Sequence, residues 1–186
     1  MLFRSQEAWT LFRIGELEDF SERKAFRGSQ FPVSKFDDFA RVFVPRWLST
    51  SRLHVNTLVA LLKKVGPAIV ICHSQGGEIS VDAMAEVPEL FAALIAIEPS
   101  SKLEKTETRI NGPTTIVAGD FLDQAFWQTR YKGWCDWVSS ISENGDVATL
   151  LQPDHGLQRG NSHMLMMDKN SADVLDVCLE SVFLTT

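Results

Sequence analysis

The chain has 186 residues, 45% of them hydrophobic, and a formal net charge of -6. That is enough apolar material for one domain over 1–186 and too much for a disordered chain. The acidic balance, with a pI of about 5.2, and the lack of any Lys/Arg run exclude nucleic acid as a first expectation, because phosphates call for clustered cations.

Residues 1–50 hold most of the aromatic side chains, among them Trp9, Phe12, Phe31, Phe36 and Trp47. They suit packing first, and second an aromatic, lid-like excursion over an apolar pocket. Within them "WTLFRI" reads as a short strand and "SKFDDFARVFVPRW" as a helical patch. Charges interrupt the apolar residues of "MLFRSQEAWTLFRIGELEDF", so neither a signal-peptide core nor a membrane span is expected there, and a cytoplasmic location follows.

From Ser49 the pattern becomes regular. "STSRLHVNTLVALLKKVG" predicts a helix with Ser/Thr cap candidates, apolar Leu53, Leu58, Leu61, Leu62 and Val65, and Gly66 as its stop. "AIVIC" is wholly apolar, as a parallel strand buried on both faces would be. "GGEISVDAMAEVP" predicts a helix ended by Pro88, "ALIAIEPS" a second strand, and "NGPTTIVAGD" a third after an Asn-Gly turn. A long amphipathic stretch around "QAFWQTRYKGWCDWVSSISENG" leads to a fourth strand at "DVATLL". "NSADVLDVCLESVFL" closes the chain as a helix that Asn170 or Ser171 can cap. Strands alternating with helices predict an α/β fold: a mainly parallel sheet with helices on both faces. Cys72, Cys135 and Cys178 match no zinc-ligand spacing and read as buried free thiols.

Ser74, in "VICHSQG", stands where the first strand turns into a helix. Such a turn lifts one side chain above the sheet, and the helix N-terminus offers backbone N–H groups. Small residues two before and two after keep the turn free of clashes; Gly76 supplies one, and Cys72 replaces the usual first glycine. The competing reading is a turn serine that caps the helix. Neither phosphate-loop nor dinucleotide glycine pattern is present.

A serine nucleophile needs a base. Of the four histidines, His54 falls inside a helix and His73 adjoins the serine with its side chain directed elsewhere. His155 and His163 both follow the fourth strand, and the glycine and asparagine flanking His163 suit a shaped loop. The acid is expected between serine and histidine in chain order, and the candidates at strand ends are Glu98, Asp120 and Asp123.

Taken together, "CHSQGG", "AIEPS", "VAGD" and "GNSHMLMMDKN" resemble the α/β-hydrolase superfamily, and more narrowly a bacterial and fungal esterase branch whose acid is a glutamate after the strand that follows the nucleophile helix. The resemblance runs from about residue 5 to 183 and includes "AWTLFRIG" and "FVPRW". It implies Ser74 as nucleophile, Glu98 as acid, His163 as base and the Gln75 N–H as an oxyanion donor; Asp120 holds the acid position of most other members. It implies no cofactor and no metal, and a small ester substrate, apolar or aryl by the N-terminal aromatics. An acyltransferase would use the same triad.

The family has about eight strands with the nucleophile after the fifth, whereas about 70 residues precede Ser74. No "HG" segment that could give a second oxyanion donor occurs before it. The expectation is therefore a truncated family member with "AIVIC" at an open edge. The N-terminal fifty residues, an oligomer or another partner would cover that edge. A non-catalytic ligand-binding or subunit-interaction module is the alternative function.

Overall fold

Helices on both sides of a parallel sheet make its strands apolar on both faces, and four runs of that kind build the sheet here. The structure is a computed structural model that describes residues 5–44, 48–100 and 111–183. Strands β1 (Ala68–His73), β2 (Phe91–Ile97), β3 (Thr114–Val117) and β4 (Ala148–Pro153) lie parallel in chain order, and the two-residue β5 (Gly156–Leu157) follows β4. His73 pairs with Ile97, and Ile97 with Val117. Ser74 and Glu98 thus leave the sheet side by side at its C-terminal edge. Their N–H groups prolong the ladder, to Ile97 O at 3.0 Å and Val117 O at 2.9 Å.

Among the described residues six α-helices accompany the strands: α1 (Ser5–Leu11), α2 (Phe36–Arg41), α3 (Ser51–Val65), α4 (Gln75–Glu86), α5 (Ala125–Glu143) and α6 (Ser171–Phe183). Crossovers between parallel strands share one hand, so those that advance in one direction fall on one face. Accordingly α3, α4 and α5 pack a single core with Leu94, Ala96 and Ile116, in which Met84, Trp134 and Trp137 are buried. The opposite face, with Ala93, Ile95 and Val117, is covered by Val174, Cys178 and Val182 of α6. The result is the expected three-layer arrangement. Residues 8–43 form a third cluster, in which Trp9 meets Phe20 and Phe36 edge to face.

Several expectations are corrected. "WTLFRI" is the end of α1 and the turn after it, because Ala8 and Trp9, adjacent in sequence, are both buried and Phe12 N closes a helical bond to Ala8 O. The second helix is shorter than expected, and residues 45–47, with Trp47, lie outside the described residues. In α3 the buried face is Val55, Val59 and Leu62, while Leu53, Leu61 and Val65 are exposed. Leu53 and Leu61 put apolar side chains outside the buried face, so counting leucines alone does not choose the inner side. The Asn170 amide, one of the two cap candidates of α6, pairs with the Asn161 amide. Cys72 and Cys178 are buried free thiols, but Cys135 is only half-buried.

β1 is apolar without being buried on both faces. It is the outermost strand of the sheet among the described residues, and Ile69 and Ile71 remain 36% and 47% exposed. The N-terminal cluster does not cover it. That cluster packs against Met164 and Met167, over the loop that carries His163. No helix among the described residues is long and apolar enough to cross a membrane.

Candidate active site

The turn from β1 into α4 places Ser74 at φ 50°, ψ -115°, a backbone region that costs a non-glycine residue of order 1–3 kcal/mol. Ser74 O accepts from Gly77 N at 2.9 Å and from Ser100 N at 2.8 Å, which ties the turn to the segment after β2. The glycine requirement sits one residue later than the sequence pattern suggests. A Cβ on Gly76 would meet Cys72 Cβ at 3.6 Å, an ordinary contact, whereas one on Gly77 would lie 2.3 Å from Pro99 Cβ. Cys72 itself contributes no nucleophile, since burial pushes its thiol up to about 11.

The structure brings Ser74, His163 and Glu98 together. The Ser74 hydroxyl donates to His163 Nε2 across 3.1 Å, and His163 Nδ1–H donates to Glu98 Oε2 across 2.5 Å. Gln75 opens α4 and lines the same pocket. His54 is exposed on α3, and His155 is exposed between β4 and β5. The Asp120 carboxylate faces away from His163: Oδ1 accepts from Phe121 N at 2.9 Å and Oδ2 from Gly160 N at 3.0 Å. Asp123 is exposed.

Glu98 is 1% exposed. Burial alone would raise its carboxyl, but the Arg13 charge and the His163 hydrogen bond outweigh that and hold it at about 2. Arg13 Nη1 donates to Glu98 Oε2 at 2.8 Å, Arg13 Nη2 donates to Oε1, and Gly119 N donates to Oε1 at 2.7 Å. Gly119 is required there, because a Cβ would stand 2.8 Å from Asn161 O and 2.9 Å from both Arg13 Nη2 and Glu98 Oε1.

The loop that presents His163 is fixed by Asp168. Its Oδ2 accepts from Ser162 N at 2.7 Å and Asn161 Nδ2 at 3.0 Å, and its Oδ1 from Ser162 Oγ at 2.8 Å. His163 N donates to Phe12 O at 2.9 Å. Around the imidazole, Phe12 stacks at 5.5 Å, Trp127 lies at 4.9 Å and His73 at 4.6 Å between ring centroids. The pocket over this group has a volume of about 360 Å³, and Leu11, Phe12, Phe126, Trp127 and Met164 form its apolar wall. Arg13, Gly119 and Asp168 escaped sequence reasoning. "NSHMLMMDKN" held a signal for Asp168 in a charge five residues after the histidine; Arg13 reaches Glu98 across 85 residues of chain, which no local spacing reveals. No group of three or more His, Cys, Asp or Glu side chains among the described residues is arranged to hold a metal.

The fold superposes on a solved structure described as a novel bacterial esterase with a TM-score of 0.86 and 29% identity, over 95% of this chain and 56% of that one. Lipase LipV of Mycobacterium tuberculosis is 32% identical over 74 residues, 39% of this chain and 28% of LipV. The uncharacterized hydrolase YugF of Bacillus subtilis is 26% identical over 116 residues, 62% of this chain and 37% of YugF. The chain thus spans about a third of the length of these two relatives and little over half of the solved esterase. No protein-family model matches it.

Proposed function

From the premise that the chain belongs to the α/β-hydrolase superfamily, whose fold it shares over nearly its whole length, we propose that it cleaves carboxylic esters through an acyl-enzyme on Ser74. The observation that carries this reading is the unbroken relay from Ser74 Oγ through His163 to Glu98, at 3.1 and 2.5 Å. Hydrogen-bond reach between nucleophile and base, with the base oriented by a third group, is the arrangement nucleophilic catalysis requires.

In this mechanism the Ser74 oxygen attacks the ester carbonyl while its proton passes to His163 Nε2. Glu98 holds the imidazole in the tautomer with the proton on Nδ1 and stabilises the imidazolium that forms. The tetrahedral oxyanion is met by the Gln75 N–H at the start of α4, where the helix dipole adds to the donor. His163 then gives its proton to the leaving alkoxide, and a water activated by the same imidazole releases the acid. With one assigned oxyanion donor rather than two, a rate lower by about 10² to 10³ is expected. Leu11, Phe12, Phe126 and Trp127 favour an apolar acyl or aryl group over a polar one,.

The test is hydrolysis of p-nitrophenyl esters of increasing acyl length by the wild type and by Ser74→Ala and His163→Ala. The reading expects turnover by the wild type and a loss of at least about 10³-fold in either variant. Turnover that survives Ser74→Ala would overturn it, and a folded wild type without turnover would favour a non-catalytic ligand-binding module.

A further inference from the structure

Arg13 is wholly buried, and every nitrogen of its guanidinium has a defined contact. Nη1 and Nη2 grip the two oxygens of Glu98, Nε donates to the Asp120 carbonyl at 2.7 Å, and the plane lies over the Trp127 ring with Cζ at 4.2 Å from its centroid. The preceding residue, Phe12, accepts the His163 N–H through its carbonyl and stacks on the imidazole. Two consecutive residues after α1 therefore hold the two groups that orient the proton transfer.

We propose that Arg13 is a positioning residue of the reaction: its fork keeps Glu98 ionised and fixes the carboxylate plane so that Oε2 meets His163 Nδ1. This rests on the esterase reading given above. A carboxylate buried in this site with only a neutral imidazole and one N–H as partners would take up a proton, because desolvation penalises its charge. Protonated Glu98 could no longer stabilise an imidazolium. The fork supplies the missing charge, and its planar geometry, which lysine lacks, defines the direction of the remaining lone pair on Oε2.

The other ionisable groups around Glu98 do not replace it. His73 has its ring against His163 and donates Nε2–H to the His163 carbonyl at 2.8 Å. Asp168 is engaged by Asn161 and Ser162, and its charge opposes that of Glu98. The Asp120 carboxylate is turned to Phe121 and Gly160, with Arg159 outside it at 3.9 Å. Arg130 lines the pocket but donates to Ser100 O and lies over Phe126. Arg13 is thus the cation that bonds to the acid.

The test is the pH dependence of kcat/KM for a p-nitrophenyl ester, and of Ser74 phosphonylation by a fluorophosphonate, in the wild type, Arg13→Lys and Arg13→Met. Loss of the cation raises the proton affinity of Glu98, the carboxylate that must stay ionised, so the acid limb moves upward,. Arg13→Met is expected to shift that limb up by about one pH unit or more and to lower the rate at neutral pH by roughly 10²-fold. Arg13→Lys keeps the charge and is expected to leave the limb within about half a pH unit while still losing rate. A folded Arg13→Met whose profile runs parallel to the wild type, only lower, would reduce Arg13 to a structural ion pair and overturn the proposal while the esterase reading stands. A wild type that neither turns over nor labels at Ser74 would remove both. Should Arg13→Met not fold, Arg13→Gln takes its place. In the wild type itself, carbon-13 NMR of the glutamate carboxyls must find Glu98 ionised well below the usual carboxylate range, and titration at or above 4.5 would by itself overturn the proposal.

Discussion

His73 and His163 lie ring against ring, 4.6 Å between centroids, with the His73 Nε2–H donating to the His163 carbonyl at 2.8 Å. Sequence adjacency to Ser74 suggested a side chain directed away from the serine hydroxyl, and the structure turns it onto the loop that carries His163. Burial and then the nearby His163 hold His73 down at about 4, from an ordinary 6.5. It is a neutral donor in the folded protein.

A pH dependence of stability follows, and its sign is the same for two groups. The unfolded chain binds a proton at His73 below 6.5, and the folded one only near 4, so stability falls as pH drops through that window,. Glu98 behaves likewise at lower pH: its folded carboxyl is held at about 2 against an ordinary 4.5, so stability present above 4.5 is lost toward 2,. Urea denaturation at a series of pH values is expected to show two successive losses, and His73→Gln to remove the upper one while leaving the lower.

Glu98→Gln and Asp120→Asn separate the two acid candidates. The first removes the carboxylate that orients His163 and leaves Arg13 buried without a counter-charge. A rate loss of about 10⁴ and a stability loss of roughly 3 kcal/mol are expected, read from kcat/KM and chemical denaturation. Asp120→Asn disturbs two backbone N–H bonds away from the imidazole and is expected to cost less than about tenfold in rate and about 1–2 kcal/mol in stability.

Gly77, rather than Gly76, is expected to be the intolerant glycine of the serine turn. Gly77→Ala forces a Cβ into the Pro99 backbone and side chain and should destabilise by about 1–3 kcal/mol. Gly76→Ala meets only Cys72 at an ordinary distance and should be neutral or slightly stabilising through helix propensity, by up to about 1 kcal/mol. Thermal unfolding of the two variants checks the order.

Asp168→Asn tests the clamp on the histidine loop. Asparagine retains the shape but offers one acceptor oxygen where three donors converge, leaving a buried donor unmet at about 1–3 kcal/mol. The expected outcome is a fall in kcat with little change in KM, because the loop positions the base rather than the substrate.

The strands and the serine turn were legible because a parallel strand's two-sided apolarity is a local property. "AIVIC", "ALIAIEPS", "TTIVAG" and "DVATLL" needed no knowledge of their neighbours. What depended on distant partners was not legible. The inner side of α3 is chosen by what α4 and the sheet offer to Val55 and Val59, and "WTLFRI" taken alone reads as a short strand although Trp9 and Phe12 belong to a helix and the turn after it. Arg13 reads as one more charge in an apolar stretch until the fold sets it against Glu98.

Ser74 is proposed above as a nucleophile activated by His163. This is tested most directly by treating the purified, folded chain with a fluorophosphonate and mapping the modified residue by mass spectrometry, with Ser74→Ala and His163→Ala in parallel. One adduct is expected, on Ser74 in the wild type, absent from Ser74→Ala and strongly slowed in His163→Ala. A folded chain that stays unmodified, or one modified equally in His163→Ala, would contradict it.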